Sequence, residues 1–184
     1  MRNALDRHLA VFLLALWMPA HAGDIDAGRS KSLICVSCHG AEGVSDNEAW
    51  PNIAGQNEGY LIKQLKDYRA GRRSDPWMSS MAIALTNQDI EDLAAYLGSL
   101  GWTPNSAGVE IAESKLRTCV ACHGVNGIID NDLWPNLAGQ KKLYLVTQMN
   151  RYREAVLSDP LMTPIANTLS DQDIEDLATF YSSL

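Results

Sequence analysis

The sequence predicts an all-α protein made of two tandem copies of one small domain. Three observations carry that reading. The second half repeats the first at a constant offset of 84 residues with no gap. Each copy ends in a capped amphipathic helix. No segment shows the apolar–polar alternation of a half-buried strand.

The elements follow in chain order. Arg2, Arg7 and His8 give a positive start, Leu9 to Met18 is an almost unbroken apolar run, and Ala20-His-Ala22 places small residues where a signal peptidase cuts. The run is about half of the roughly 20 residues a spanning helix needs. Residues 1–22 therefore read as a cleaved secretory signal and not as an anchor, with cleavage expected near Ala22 and export to the periplasm. The mature chain divides into domains 23–101 and 102–184. In each copy a first helix is expected to run into a cysteine motif, from about Ala27 and again from about Ile111. A middle helix follows from about Glu58 to Ala70, with Tyr60, Leu61, Gln64, Leu65 and Tyr68 on one side, and its equivalent from about Lys142 to Glu154. The last helix opens on the capping boxes Thr86-Asn-Gln-Asp89 and Ser170-Asp-Gln-Asp173. Ile90, Leu93, Ala94 and Leu97 then share a face, as do Ile174, Leu177, Ala178 and Tyr181. The repeated acids Asp89, Glu91 and Asp92 sit where they favour the helix dipole. The join falls in Gly98–Gly108, a run of turn and breaker residues.

The repeat itself is close. Trp50-Pro-Asn-Ile-Ala-Gly-Gln56 returns as Trp134-Pro-Asn-Leu-Ala-Gly-Gln140, Ser74-Asp-Pro-Trp-Met78 as Ser158-Asp-Pro-Leu-Met162, and Gln88–Ala94 as Gln172–Ala178. About half of the positions from Ser30 to Leu100 match their partners. A long period present twice means two like domains, not a solenoid. The formal charge is −7, and each mature half carries −4. No Lys/Arg cluster points to nucleic acid or to an anionic membrane beyond peripheral contact. The acidity supplies solubility, or steering towards a basic partner. A domain of about 80 residues buries a limited core and needs a staple.

The staple is legible in the cysteines. All four lie in two C-x-x-C-H pentads, Cys35-Val-Ser-Cys38-His39 and Cys119-Val-Ala-Cys122-His123. Two cysteines three apart on a helical turn each take one vinyl group of a haem, and the adjacent histidine binds the iron. A thioredoxin-like site needs no histidine and sits near a βαβ pattern, which is absent; a zinc site or two disulfides would use the same atoms but leave the paired pentads unexplained. Two haem c groups are expected, held by Cys35, Cys38, Cys119 and Cys122, with His39 and His123 as axial ligands. The mature chain has no further histidine, and its thiols are used. Methionine remains, as Met78, Met81, Met149 or Met162. The repeat pairs Met78 with Met162, but Met81 with Ile165 and Met149 with Leu65. Equivalent domains should use equivalent ligands, so Met78 and Met162 are expected as the sixth ligands. The Pro51 and Pro135 carbonyls are placed to orient the two histidines. Arg69 and Arg153, or Arg72 and Arg73, either pair with haem propionates or lie on a solvated face. Trp50 and Trp134 either wall the haem or fill the core.

On these residues the chain resembles the dihaem cytochrome c4 family, two fused class I c-type cytochromes. The pentads, the Pro-Asn-Leu/Ile-Ala-Gly-Gln segments, the Tyr-Leu-x-x-Gln helices, methionines seven residues before Leu85 and Leu169, and the capped last helices carry the likeness across essentially the whole mature chain. The resemblance implies two class I cytochrome c domains related by a pseudo-twofold axis, with haems close enough to exchange electrons. It implies reduction by a membrane quinol-oxidising cytochrome bc complex and delivery to a terminal oxidase or reductase. Ser80 in the first methionine loop, where the second has Pro164, predicts a less rigid first loop. A haem enzyme needs an open iron position and an acid–base residue beside it. Here both irons have a methionine available and no third mature histidine exists, so the reading is a non-enzymatic carrier with redox-protein partners and no small-molecule substrate. The alternative is the electron-accepting subunit of a periplasmic dehydrogenase such as flavocytochrome c sulfide dehydrogenase.

Overall fold

The last helix of each copy begins where the hydroxyls place it. In the computed structural model, which describes residues 22–101, 110, 111 and 113–184, Thr86 and Ser170 each accept from the backbone N–H three residues on, while Asp89 and Asp173 reach back to the cap. These boxes start α5 (Asn87–Ser99) and α9 (Asp171–Ser183). The expected signal segment and most of the join lie outside the described residues.

The first copy runs α1 (Ile25–Lys31), a 3-10 turn (Ser32–Ile34), α2 (Val36–His39), α3 (Glu58–Arg69), α4 (Pro76–Ala82) and α5. The second runs α6 (Glu113–His123), α7 (Lys142–Arg153), α8 (Met162–Ala166) and α9. No strand occurs among the described residues, and none of their helices is long and apolar enough to cross a membrane. The expected middle and last helices form within a residue or two of their expected bounds. The first helix is continuous in the second copy but interrupted in the first. There the Ser32 hydroxyl donates to the Arg29 carbonyl at 2.8 Å, competing with the helix ladder; Leu116 at the equivalent position has no hydroxyl to do so.

Two small cores result. Leu61 of α3 meets Ala94 and Leu97 of α5, and Leu145 of α7 meets Leu177, Ala178 and Tyr181 of α9. Gly28 lets α1 cross α5, since a Cβ there would overlap the Asp92 carbonyl. The acids of the last helices do more than favour a dipole. Lys31 of α1 pairs with Asp89 and Asp92 of α5, and Lys115 of α6 pairs with Asp173 and Asp176 of α9. Asp92 is buried and also accepts from the Asp24 N–H and the Gln88 amide, each at 2.8 Å.

The halves meet through a pseudo-twofold set of bonds. The Asn52 N–H donates to Gln140 Oε1 at 2.8 Å, and Gln140 Nε2 donates to the Asn52 carbonyl at 2.9 Å. The Asn136 N–H donates to Gln56 Oε1 at 2.8 Å, and Gln56 Nε2 to the Asn136 carbonyl at 3.0 Å. Asn52 Nδ2 reaches the Gly139 carbonyl, and Asn136 Nδ2 the Gly55 carbonyl. Further out, the Tyr60 N–H bonds the Asp132 carbonyl at 2.7 Å and the Tyr144 N–H the Glu48 carbonyl at 3.0 Å. Each of these contacts recurs with its two residues exchanged between copies, as in an isologous interface. The fold is all-α, with two like domains about a pseudo-twofold axis.

Candidate functional site

Each pentad ends a helix and is followed by a glycine. Gly40 and Gly124 take φ of 81° and 77°, and a Cβ at either would overlap the carbonyl of Val44 or Ile128. The chain turns there and returns to the Pro-Asn segment, which is tied to the loop by the Ile53 N–H on Gly43 and the Leu137 N–H on Gly127, both at 2.8 Å. The return brings the expected proline carbonyls to the histidines. His39 Nδ1 lies 2.8 Å from the Pro51 carbonyl and His123 Nδ1 lies 3.0 Å from that of Pro135. A carbonyl only accepts, so Nδ1 carries the proton and Nε2 keeps its lone pair. Both rings are 7 % exposed. Burial holds both imidazoles below the ordinary range, against the opposing pull of the proline carbonyls. The shift favours the neutral ring, the form that can bind a metal ion.

Cys35, Cys38, Cys119 and Cys122 lie on the same turns, half-buried. Burial pushes the Cys35 and Cys119 thiols up. Met78 and Met162 occupy matching positions in short helices that sequence periodicity does not announce. Asp75 caps α4 by accepting from the Trp77 and Met78 N–H groups. Asp159 accepts from Leu161 and Met162 in the same way, both methionine bonds being 3.0 Å. The Ser79 and Thr163 hydroxyl oxygens accept in turn from the Asp75 and Asp159 N–H groups, at 3.1 and 3.0 Å. Met78 and Met162 are half-buried, while Met81 is 40 % exposed. The Ser80 hydroxyl donates to the Pro76 carbonyl at 2.9 Å, and α4 extends to seven residues against five for α8.

The arginines separate into three roles. Arg69 donates to the Leu85 carbonyl at 2.7 Å and to Asn87 Oδ1 at 2.6 Å. Arg153 repeats this with Leu169 and Asp171. Both tie the middle helix to the start of the last. Arg72 is exposed and pairs with Asp67. Arg73 is buried where the halves meet. Trp50 is exposed, so it fills no core here, and Trp134 is half-buried. Sequence reasoning missed Asn52, Gln56, Asn136 and Gln140, although their signal, an Asn and a Gln kept four residues apart in both copies of one segment, was in view.

These residues fit a haem in each half. A neutral histidine directs a free nitrogen away from its proline, two thiols flank it on one turn, and a methionine is held at a matching place in each copy. Among the described residues six buried apolar side chains belong to the first half and eight to the second, a small core that suits a domain stapled by a large apolar group. Comparison with known proteins agrees. The cytochrome c family model matches residues 32–101 and 106–184. Cytochrome c4 of Pseudomonas aeruginosa is 33 % identical, the match covering 98 % of this chain and 100 % of that protein. The thiosulfate dehydrogenase electron acceptor of Stutzerimonas stutzeri is 33 % identical over 95 % of this chain and 92 % of its own length. The crystal structure of reduced recombinant cytochrome c4 from Pseudomonas stutzeri superposes with a TM-score of 0.77 at 32 % identity, covering 89 % of this chain and 100 % of that one.

Proposed function

We propose, for a chain that belongs to the cytochrome c4 family and carries two haem c groups, a role as a periplasmic carrier of single electrons. It takes them from a membrane quinol-oxidising cytochrome bc complex and gives them to a terminal oxidase or reductase. The first 22 residues act as its export signal, and domains 23–101 and 102–184 each hold one haem. Each haem, when bound, supplies an iron that gains and loses one electron. Cys35 and Cys38, and Cys119 and Cys122, anchor the groups covalently. His39 and His123, oriented by Pro51 and Pro135, would ligate the irons together with Met78 and Met162.

The observation that carries this reading is the twofold-repeated site: an oriented neutral histidine and a capped methionine in each half. With a histidine and a methionine from the chain for each iron, no place would be left there for a substrate. The surrounding charge favours docking to a basic surface. A second reading, electron acceptor of a periplasmic dehydrogenase such as flavocytochrome c sulfide dehydrogenase, draws support from the likeness to the thiosulfate dehydrogenase electron acceptor.

The test is stopped-flow electron exchange between the haem-loaded protein and a membrane oxidase across an ionic-strength series. Exchange should be fast and should slow with salt, because screening shortens to about 8 Å at physiological ionic strength. Rapid reduction by a purified periplasmic dehydrogenase, with none by the bc complex, selects the second reading. Steady turnover of peroxide, thiosulfate or sulfide by the chain alone overturns both.

A further inference from the structure

One buried cation lies at the junction of the halves. Arg73 is 8 % exposed. Its guanidinium stacks 4.8 Å from the centre of the Tyr68 ring. It donates to Gln64 of its own half, and to Tyr144 Oη at 3.2 Å and Gln148 Oε1 at 2.8 Å of the other. Burial pushes the Tyr60 phenol far above its usual range and that of Tyr68 up to about 12, so these neighbours are neutral. No ion pair among the described residues includes Arg73, and its buried Nε has no acceptor.

The second copy has no such charge. Leu157 takes the equivalent position and is 6 % exposed. The backbone is the same at both: the Arg73 N–H bonds the Asp67 carbonyl at 3.1 Å, and the Leu157 N–H bonds that of Arg151 at 2.9 Å. A near-symmetric interface thus holds a single, asymmetric, buried positive charge.

A buried charge without a counter-ion is strongly unfavourable. Among the described residues no carboxylate pairs with Arg73, whereas each haem c brings two. Arg73 also lies on the segment leading into Met78. We propose that Arg73 is a positioning residue whose counter-ion is a haem propionate at the junction, and that its charge raises the summed potential of the two haems. A reduced iron is one unit more negative than an oxidised one, so a fixed nearby cation favours reduction. The charge enters once, opposite Leu157, and this makes the two haems inequivalent.

The inference rests on the two-haem carrier reading, and haem count by mass is recorded for every variant so that lost haem is told apart from lost pairing. Spectroelectrochemical titration is run on wild type, Arg73→Gln, Arg73→Lys and Arg72→Gln. Arg73→Gln should lower the two-electron reduction equilibrium at least about tenfold, which is 59 mV in the sum of the two potentials. Arg73→Lys keeps the charge and should stay close to wild type. Arg72→Gln removes the same charge from an exposed neighbour and should leave the sum in place. An unchanged sum in Arg73→Gln, or an equal shift in Arg72→Gln, overturns the proposal. If Arg73→Gln does not retain both haems, resonance Raman of Arg73→Lys decides. The propionate bending band should shift when ammonium replaces guanidinium, and an unmoved band overturns the pairing.

Discussion

Gln140 makes the interface open to a quantitative test. Truncating it to alanine removes the acceptor of the Asn52 N–H at 2.8 Å and the donor to the Asn52 carbonyl at 2.9 Å. Asn52 is 8 % exposed, so both backbone groups lose their partners in a nearly dry place. A buried polar group left unsatisfied costs roughly 1–3 kcal/mol. Two such groups, partly relieved by water entering the space the side chain leaves, give roughly 2–4 kcal/mol. That corresponds to about 30- to 700-fold faster local opening. Native-state hydrogen exchange on the haem-loaded protein reads it directly at the Asn52 amide. Gln56→Ala should act in the same way on the Asn136 amide, whose bonds to Gln56 are 2.8 and 3.0 Å. If Gln140→Ala changes exchange at Asn52 by less than about threefold, under roughly 0.7 kcal/mol, the interface described here does not hold the halves together.

Three further outcomes are expected. Met78→Leu and Met162→Leu should each remove about half of the weak far-red methionine-to-iron band of the ferric protein and lower one potential, while Met81→Leu leaves both unchanged; the reverse pattern refutes the repeat-based assignment. Ala155 takes φ of 57° where the first copy has Gly71 at 71°, so Ala155→Gly should stabilise the second half by roughly 0.5–1 kcal/mol, the left-handed strain relieved less the added freedom of the unfolded glycine; a lower melting midpoint would contradict this. Acid should loosen the helix crossings. The Asp24 N–H and then Lys31 hold Asp92 below its ordinary value, and Lys115 with Ser170 holds Asp173 down to about 2 from 3.8. A depressed carboxylate contributes stability that is full above its unfolded value and lost as pH falls through its folded one. The melting midpoint should therefore decline from near pH 4 towards pH 2, less steeply in Asp173→Asn, and a flat midpoint there would refute it.

What could be read from the sequence was local. The last helices were legible because a hydroxyl and an acid three residues apart satisfy orphan amides wherever they occur. The histidine–proline contacts were legible because the repeat fixes a spacing of twelve residues twice. The methionine helices were not, since five to seven residues carry too little periodicity and each start is held by a single aspartate, Asp75 or Asp159. Nor was the tie between Lys31 and Asp92, which depends on α1 crossing α5 at Gly28. On sequence alone the acids of α5 are helix-dipole partners, and only the crossing turns them into a clamp. Arg73 was one candidate among four because nothing local separates it from Arg72. Its burial comes from the other half, through Tyr144 and Gln148.

The segment from Pro51 to Gln56 joins these levels through one peptide group. The carbonyl of the Pro51–Asn52 peptide accepts from His39, and the N–H of that same peptide donates to Gln140 of the other half. The Pro135–Asn136 peptide does likewise for His123 and Gln56. Resonance couples the two ends of an amide, and hydrogen bonds in series polarise one another. Donation to Gln140 makes the Pro51 carbonyl a better acceptor, which would make His39, as the proposed ligand, more electron-rich towards iron. On the proposed ligation each histidine would be tuned by a glutamine of the opposite copy. The consequence is a crossed pattern that separates this account from simple loosening. Gln140→Ala should shift the hyperfine-shifted ring resonances of His39 and leave those of His123 in place, and Gln56→Ala should do the opposite. A variant that disturbs only the histidine of its own half, or both equally, would show that the glutamines act by packing and that the peptide transmits nothing.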